Sequence, residues 1–128
     1  MTSVEIPRSV AAVLPTLSVF DITNDVSRAI SDCEHDAGLA YVAATSPLAV
    51  VRVTERESGF FHDFEAMLSR LVPNDMTERE RLIVALLGSR TEQIPFADGR
   101  LCLGQWQRVL LFGFNGDASA DFALTLLG

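Results

Sequence analysis

The side chains that could do chemistry are few and widely spaced. The chain has two histidines and two cysteines, at His35, His62, Cys33 and Cys102. A zinc-like ion wants about three or four His, Cys or carboxylate ligands converging on one point. Neither residue type alone can complete such a site. Cys33 and Cys102 form no C-x-x-C pair and read as small, reduced, hydrophobic side chains. The run Cys33-Glu34-His35 has the wrong spacing for a zinc knuckle, and His62 falls on the polar face of a helix, where solvation is its ordinary role. All ten basic residues are arginine. Without lysine there is no Schiff base, no pyridoxal phosphate anchor and no Walker-type phosphate lysine. A nucleophilic serine needs a base beside it, and the chain has no G-x-S-x-G elbow.

The bulk composition narrows the classes further. A net charge of −7 over 128 residues, with no basic cluster to offset it, argues against a nucleic-acid partner. No apolar run reaches the roughly 18–20 residues that span a bilayer, so no membrane partner is expected. Met1–Pro7 contains Glu5 and lacks the basic start of a signal peptide, which makes a cytoplasmic location the expectation. The length fits one domain over residues 1–128, and 48% hydrophobic residues can supply its core.

These residues must be positioned by an alternation of strands and helices that is legible in the pattern. Val4–Ile6 and Thr16–Phe20 read as short strands. Asp21–Thr23 offers a helix cap, followed by Val26, Ala29, Ile30 and Cys33 at helical spacing, with Gly38 beyond the end. Leu39–Ala44 and Leu48–Val53 read as strands broken by Pro47. A helix opens near Ser58 with Phe60, Phe61, Phe64, Met67, Leu68 and Leu71 on one face, and Pro73 stops it. Thr77-Glu78-Arg79-Glu80 has the form of a capping box for a further helix that ends at Gly88. Thr91–Ile94, Arg100–Leu103, Val109–Phe114 and Phe122–Leu127 are extended, with turn signals at Asp98-Gly99 and Asn115-Gly116. Helices grouped between blocks of strands predict an α+β fold. Strict strand–helix alternation and a glycine-rich dinucleotide loop are both missing.

Leu87-Gly88-Ser89, Ile94-Pro95, Asp98-Gly99-Arg100-Leu101 and Leu103-Gly104-Gln105-Trp106-Gln107 together resemble the signature block of the YjbQ-like family, also called secondary thiamine-phosphate synthase. Asp21-Ile22-Thr23, Leu71-Val72-Pro73 and Phe114-Asn115-Gly116 also sit where that family has similar segments, so the resemblance covers roughly residues 18–128. It implies a mixed-sheet α+β protomer with sandwich character, assembly as a homotrimer, and a weak thiamine-phosphate synthase activity. It also implies a pocket with histidines and a glutamate that hold a metal or an anion. The glutamate is retained as Glu55. At the positions of the family's histidines stand Ser46 and Arg81, and the Asn74–Thr77 loop is too short to carry a third. Gln105 replaces a threonine, Gly113 a glutamate, and Ala118 an anion-binding arginine. Neither His35 nor His62 falls on a ligand position, so no metal and no other cofactor are expected.

The resemblance leaves Glu55 and Arg81 as the catalytic candidates. Glu55 is either a general acid or base in a partly buried pocket or a solvated strand-end carboxylate paired with Arg52 or Arg56. Arg81 is either a fork for a ligand carboxylate or phosphate or a helix arginine paired with Glu78 or Asp75. Ser46, Gln105, Trp106 and Gln107 are the candidate substrate-binding residues; Trp106 could wall a pocket, or lie in the core or an interface. Three functions follow: a metal-independent acid/base enzyme for a cyclisation, dehydration or isomerisation of a small organic substrate; a non-catalytic binding or assembly subunit; or the family's thiamine-phosphate synthase activity.

Overall fold

Two strands in this chain are apolar on both faces, and they form the middle of the molecule. The computed structural model describes residues 9–114 and 120–128. Strand β2 (Leu17–Asp21) is buried at every position, as is β7 (Gln107–Gly113) from Val109 onward. With β1 (Ser9–Leu14) and β4 (Ala49–Glu55) they make an antiparallel sheet in the order β1-β2-β7-β4. Such a sheet needs a layer on each side.

One layer is a second antiparallel sheet, ordered β6-β5-β3-β8, from β3 (Ala37–Ala44), β5 (Thr91–Ala97), β6 (Arg100–Leu101) and β8 (Phe122–Leu127). Its residues alternate in and out with period two. Ala40, Val42, Ile94 and Phe96 meet Phe20, Val51, Val109 and Leu111 from the first sheet. Helix α1 (Thr23–Asp32) closes this core with Val26 and Ile30. The other layer is α2 (Ser58–Leu71) and α3 (Arg79–Leu87), which pack Phe61, Leu68 and Ile83 on Leu17, Val19, Val50, Leu110 and Phe112. Phe112 receives the rings of Phe61 and Phe64 edge-on, at centroid distances of 6.1 and 5.5 Å. The result is the predicted α+β class: sheet on sheet, with two helices on one outer face. No helix among the described residues is long and apolar enough to cross a membrane.

Three local expectations are revised. The strand preceding β2 is Ser9–Leu14; the one expected at Val4–Ile6 lies outside the described residues, as does the Asn115-Gly116 turn. The Thr77–Glu80 capping box does not form. Glu78 takes a left-handed conformation (φ 64°) with no side-chain cap, and α3 starts at Arg79. Arg79 is itself buried, and its Nε donates to the Val72 carbonyl at 2.9 Å, which fixes the α2–α3 link another way. Finally, the apolar face of α2 divides: Phe61, Phe64 and Leu68 point inward, while Phe60, Met67 and Leu71 remain exposed along a flank. The Asp98-Gly99 turn is as expected, with φ of 54° and 71° in a two-residue hairpin between β5 and β6.

Candidate functional site

The site lies where β4 ends and α2 begins. In the β4–β7 ladder Thr54 pairs with Arg108 and Glu55 with Gln107, so the segment just before β7 is carried to the C-terminal end of β4. That segment is a turn locked twice. The Gln107 N–H donates to the Gly104 carbonyl at 3.1 Å, and the Gly104 N–H donates to Gln107 Oε1 at 2.7 Å. Gln105 and Trp106 are left at its tip, with Trp106 67% exposed. Glu55, Arg56, Glu57, Gln105, Trp106 and Arg108 line an open cleft of about 470 Å³.

The cleft rests on a buried carboxylate. Asp21 ends the wholly buried β2, and its side chain is 1% exposed. Oδ2 accepts from Arg108 Nε at 2.8 Å and from Arg56 Nη1 at 3.2 Å, and Oδ1 accepts from the Thr23 N–H at 3.0 Å. Burial alone would raise this carboxyl's pKa. The Arg108 hydrogen bond and charge, with the Thr23 bonds, outweigh burial and hold it below the usual aspartate value. Arg56 continues outward, donating to Ser9 Oγ and the Val10 carbonyl of β1. Glu57 caps α2, accepting from the Gly59 and Phe60 N–H groups at 2.7 Å each.

The Glu55 side chain is exposed and makes no hydrogen bond or ion pair with a described residue. Neither arginine considered as its partner is engaged with it. Arg56 serves Asp21, and Arg52 donates to the Val51, Leu87 and Ser89 carbonyls at 2.7 Å each. Of the other sequence candidates, Gln105 and Trp106 share its cleft and three do not. Arg81 is 75% exposed and pairs with Glu78 at 3.2 Å. Ser46 lies beyond the opposite end of β4, about 20 Å of strand away, where its Oγ accepts from the Asp121 N–H at 2.8 Å. Gln107 is the ladder partner of Glu55, but its side-chain oxygen is taken by Gly104. Arg81 is therefore not in position to assist Glu55 within one chain, and Ser46 is separated from it by the length of the strand. Sequence reasoning missed Asp21, Arg56 and Arg108 as a unit. One available signal was an aspartate ending an apolar run, since a buried carboxylate must find cations and donors.

The model of the UPF0047 protein YjbQ-like family matches residues 14–128. The chain belongs to the YjbQ-like family. It is 29% identical over 109 residues to a UPF0047 protein of Archaeoglobus fulgidus, covering 78% of this chain and 83% of that one. A UPF0047 protein of Methanothermobacter thermautotrophicus is 25% identical over 122 residues, covering 88% and 84%. Among solved structures, an uncharacterised YjbQ/UPF0047 protein of Clostridium acetobutylicum superposes with a TM-score of 0.79 at 20% identity, covering 95% of this chain and 100% of that one. A hypothetical protein of Aeropyrum pernix superposes with a TM-score of 0.76 at 26% identity, covering 88% and 90%. The metal that the YjbQ-like resemblance implies does not fit the donors present. Among the described residues no three His, Cys, Asp or Glu side chains converge, and the family's histidine positions carry a hydroxyl at Ser46 and a cation at Arg81.

Proposed function

We propose that this YjbQ-like chain is a pocket protein that works on a small organic substrate without a metal, with Glu55 as the proton-transfer group and Gln105 and Trp106 as substrate-binding residues. A cyclisation, dehydration or isomerisation suits it, because each can proceed by acid–base chemistry alone: an isomerisation moves a proton between positions, a dehydration takes a proton and expels the hydroxyl as water, and a ring closure takes the proton from the attacking group and returns it to the group attacked. The supporting observation is the placement of an unpaired carboxylate and an exposed tryptophan in one cleft, over a floor fixed by Asp21. Arg81, Ser46 and Gln107 drop out of the single-chain site for the reasons above. We place the protein in the cytoplasm as a homotrimer. Support for assembly comes from the outward side of β3, β5 and β8 in the second sheet: Leu39, Tyr41, Ala43, Gln93, Pro95 and Thr125 belong to a stretch with no charge, Arg100 lying at its edge on β6, on a chain of net charge −7. Copies of so acidic a chain repel least across such a face, which favours a second copy as its cover.

A non-catalytic binding subunit is the second reading, favoured by the openness of Glu55 to solvent. The thiamine-phosphate synthase activity stands behind both, since Ala118 replaces an expected anion-binding arginine. The experiment uses Trp106, the sole tryptophan, whose emission reports occupancy of the cleft. A panel of neutral and charged aromatic and carbonyl compounds is titrated, and bound members are followed by NMR for turnover. We expect saturable emission shifts, with Glu55→Gln lowering turnover by about 10²–10⁴ while binding changes little. Ligands returned unchanged by the native protein would move the assignment to a binding subunit. No shift from any compound would overturn the cleft as a site.

A further inference from the structure

Arg108 is held in a way that leaves one end of its guanidinium without a partner among the described residues. Its Nε donates to the buried Asp21 Oδ2 at 2.8 Å, yet the side chain is 36% exposed and lines the cleft. Nη1 and Nη2 donate to no described residue. Arg56 differs, because Nη1 and Nη2 are turned toward Asp21, Ser9 and Val10. A guanidinium oriented from behind by a buried carboxylate has already lost most of its rotamer freedom. Binding through its free end then costs less ordering than recruiting a loose arginine would.

The surroundings select the anion. A phosphate would ordinarily seek the nearby N-terminus of α2, but the Glu57 carboxylate already accepts from its Gly59 and Phe60 N–H groups. Asp21, Glu55 and Glu57 also outnumber Arg56 and Arg108 around the cleft, which penalises a dianion more than a monoanion. The two free η nitrogens match the paired oxygens of a carboxylate, and the exposed face of Trp106 accepts a flat group beside it.

We infer that Arg108 is the receptor for the carboxylate of a planar aromatic or conjugated acid whose ring lies on Trp106. This rests on the cleft being a binding site and narrows the substrate class proposed for it.

The test titrates Trp106 emission with benzoate, its neutral analogue benzamide, phenyl phosphate and inorganic phosphate. We expect benzoate to bind at least about tenfold tighter than benzamide, phenyl phosphate to bind no tighter than benzoate, and inorganic phosphate not to compete. The benzoate preference should vanish in Arg108→Gln combined with Asp21→Asn, which removes both members of the buried pair. Arg108→Lys keeps the charge beside Asp21 and loses the fork, so the preference should fall there too, and this variant decides the matter if the double variant does not fold. Equal binding of benzoate and benzamide would overturn the Arg108 receptor while leaving the cleft as a site. A preference for phenyl phosphate, or one unchanged in Arg108→Lys, would also overturn it. No shift up to the solubility limit of benzoate would overturn the Arg108 receptor, and the cleft falls with it only if the wider panel is silent as well.

Discussion

Asp21 is a buried carboxylate that ties three segments together through its side chain. It sits at the end of a strand with no exposed position and joins segments 35 and 87 residues away. Charge-assisted hydrogen bonds contribute about 1.5–3 kcal/mol each when intact, but Arg56 and Arg108 are 39% and 36% exposed and would partly rehydrate if released. We therefore expect Asp21→Asn to cost about 1–3 kcal/mol in urea denaturation. The folded-state pKa lies below its ordinary value, so this stabilisation is complete above the unfolded pKa of about 3.9 and is lost as pH falls through the lower folded value. Urea midpoints measured from pH 6 downward should show an acid limb below about pH 4 that is smaller in Asp21→Asn. Equal limbs would mean that other carboxylates carry the dependence. The sequence marked Asp21–Thr23 as a helix cap; the N-cap is Ile22, with no side-chain cap bond, and Asp21 Oδ1 accepts from the N–H of Thr23, the first residue of α1, from one position before the cap. Its arginines were not legible, because their approach depends on the β4–β7 register and no local pattern encodes it.

At the scale of elements, periodicity recovered the helices and most strands, since burial on one face leaves a period in the sequence. It failed where tertiary contacts decide. Strand β1 went unread because alanines weaken its β-character and, among the described residues, it pairs only with β2. The capping box at Thr77 was overridden by the buried Arg79. The C-terminus of α3 is likewise closed by a distant residue: Arg52 donates to the Leu87 and Ser89 carbonyls, the orphan acceptors that follow a helix. Arg52→Met should cost about 2 kcal/mol and speed hydrogen exchange at the Gly88 N–H, which donates to the Val84 carbonyl. Unchanged exchange there would show that α3 ends without that clamp. In β3, a Cβ at Gly38 would overlap the Leu127 carbonyl oxygen of β8, so Gly38→Ala should lower stability by about 1–3 kcal/mol, read as a drop in the urea midpoint.

For the molecule as a whole, the family resemblance was legible from one motif block because its parts have structural duties. Asp98-Gly99 makes the β5–β6 hairpin, and the Gly104–Gln107 turn sets Trp106 above the cleft. The shared site could not be judged from that block alone; Arg81 and Ser46 had to be placed in space. The uncharged stretch on β3, β5 and β8 leads to a prediction at this scale. Light scattering should report about three times the 14.0 kDa chain mass, and Thr125→Glu, at the centre of β8, should shift the mass toward the monomer. A native protein that scatters as a monomer would refute the assembly.

The strand order carries a consequence for synthesis. In the first sheet, β2 and β4 do not touch each other, and β7 lies between them. A ribosome has made four-fifths of the chain before that strand exists. Until Gln107–Gly113 emerges, the nascent chain holds two open edges and a half-built cleft. Arg108 arrives with the same strand, so the second of the two arginines on Asp21 and the backbone that completes the sheet are delivered in one step. Chains stopped short of residue 107 should be the aggregation-prone species of this protein.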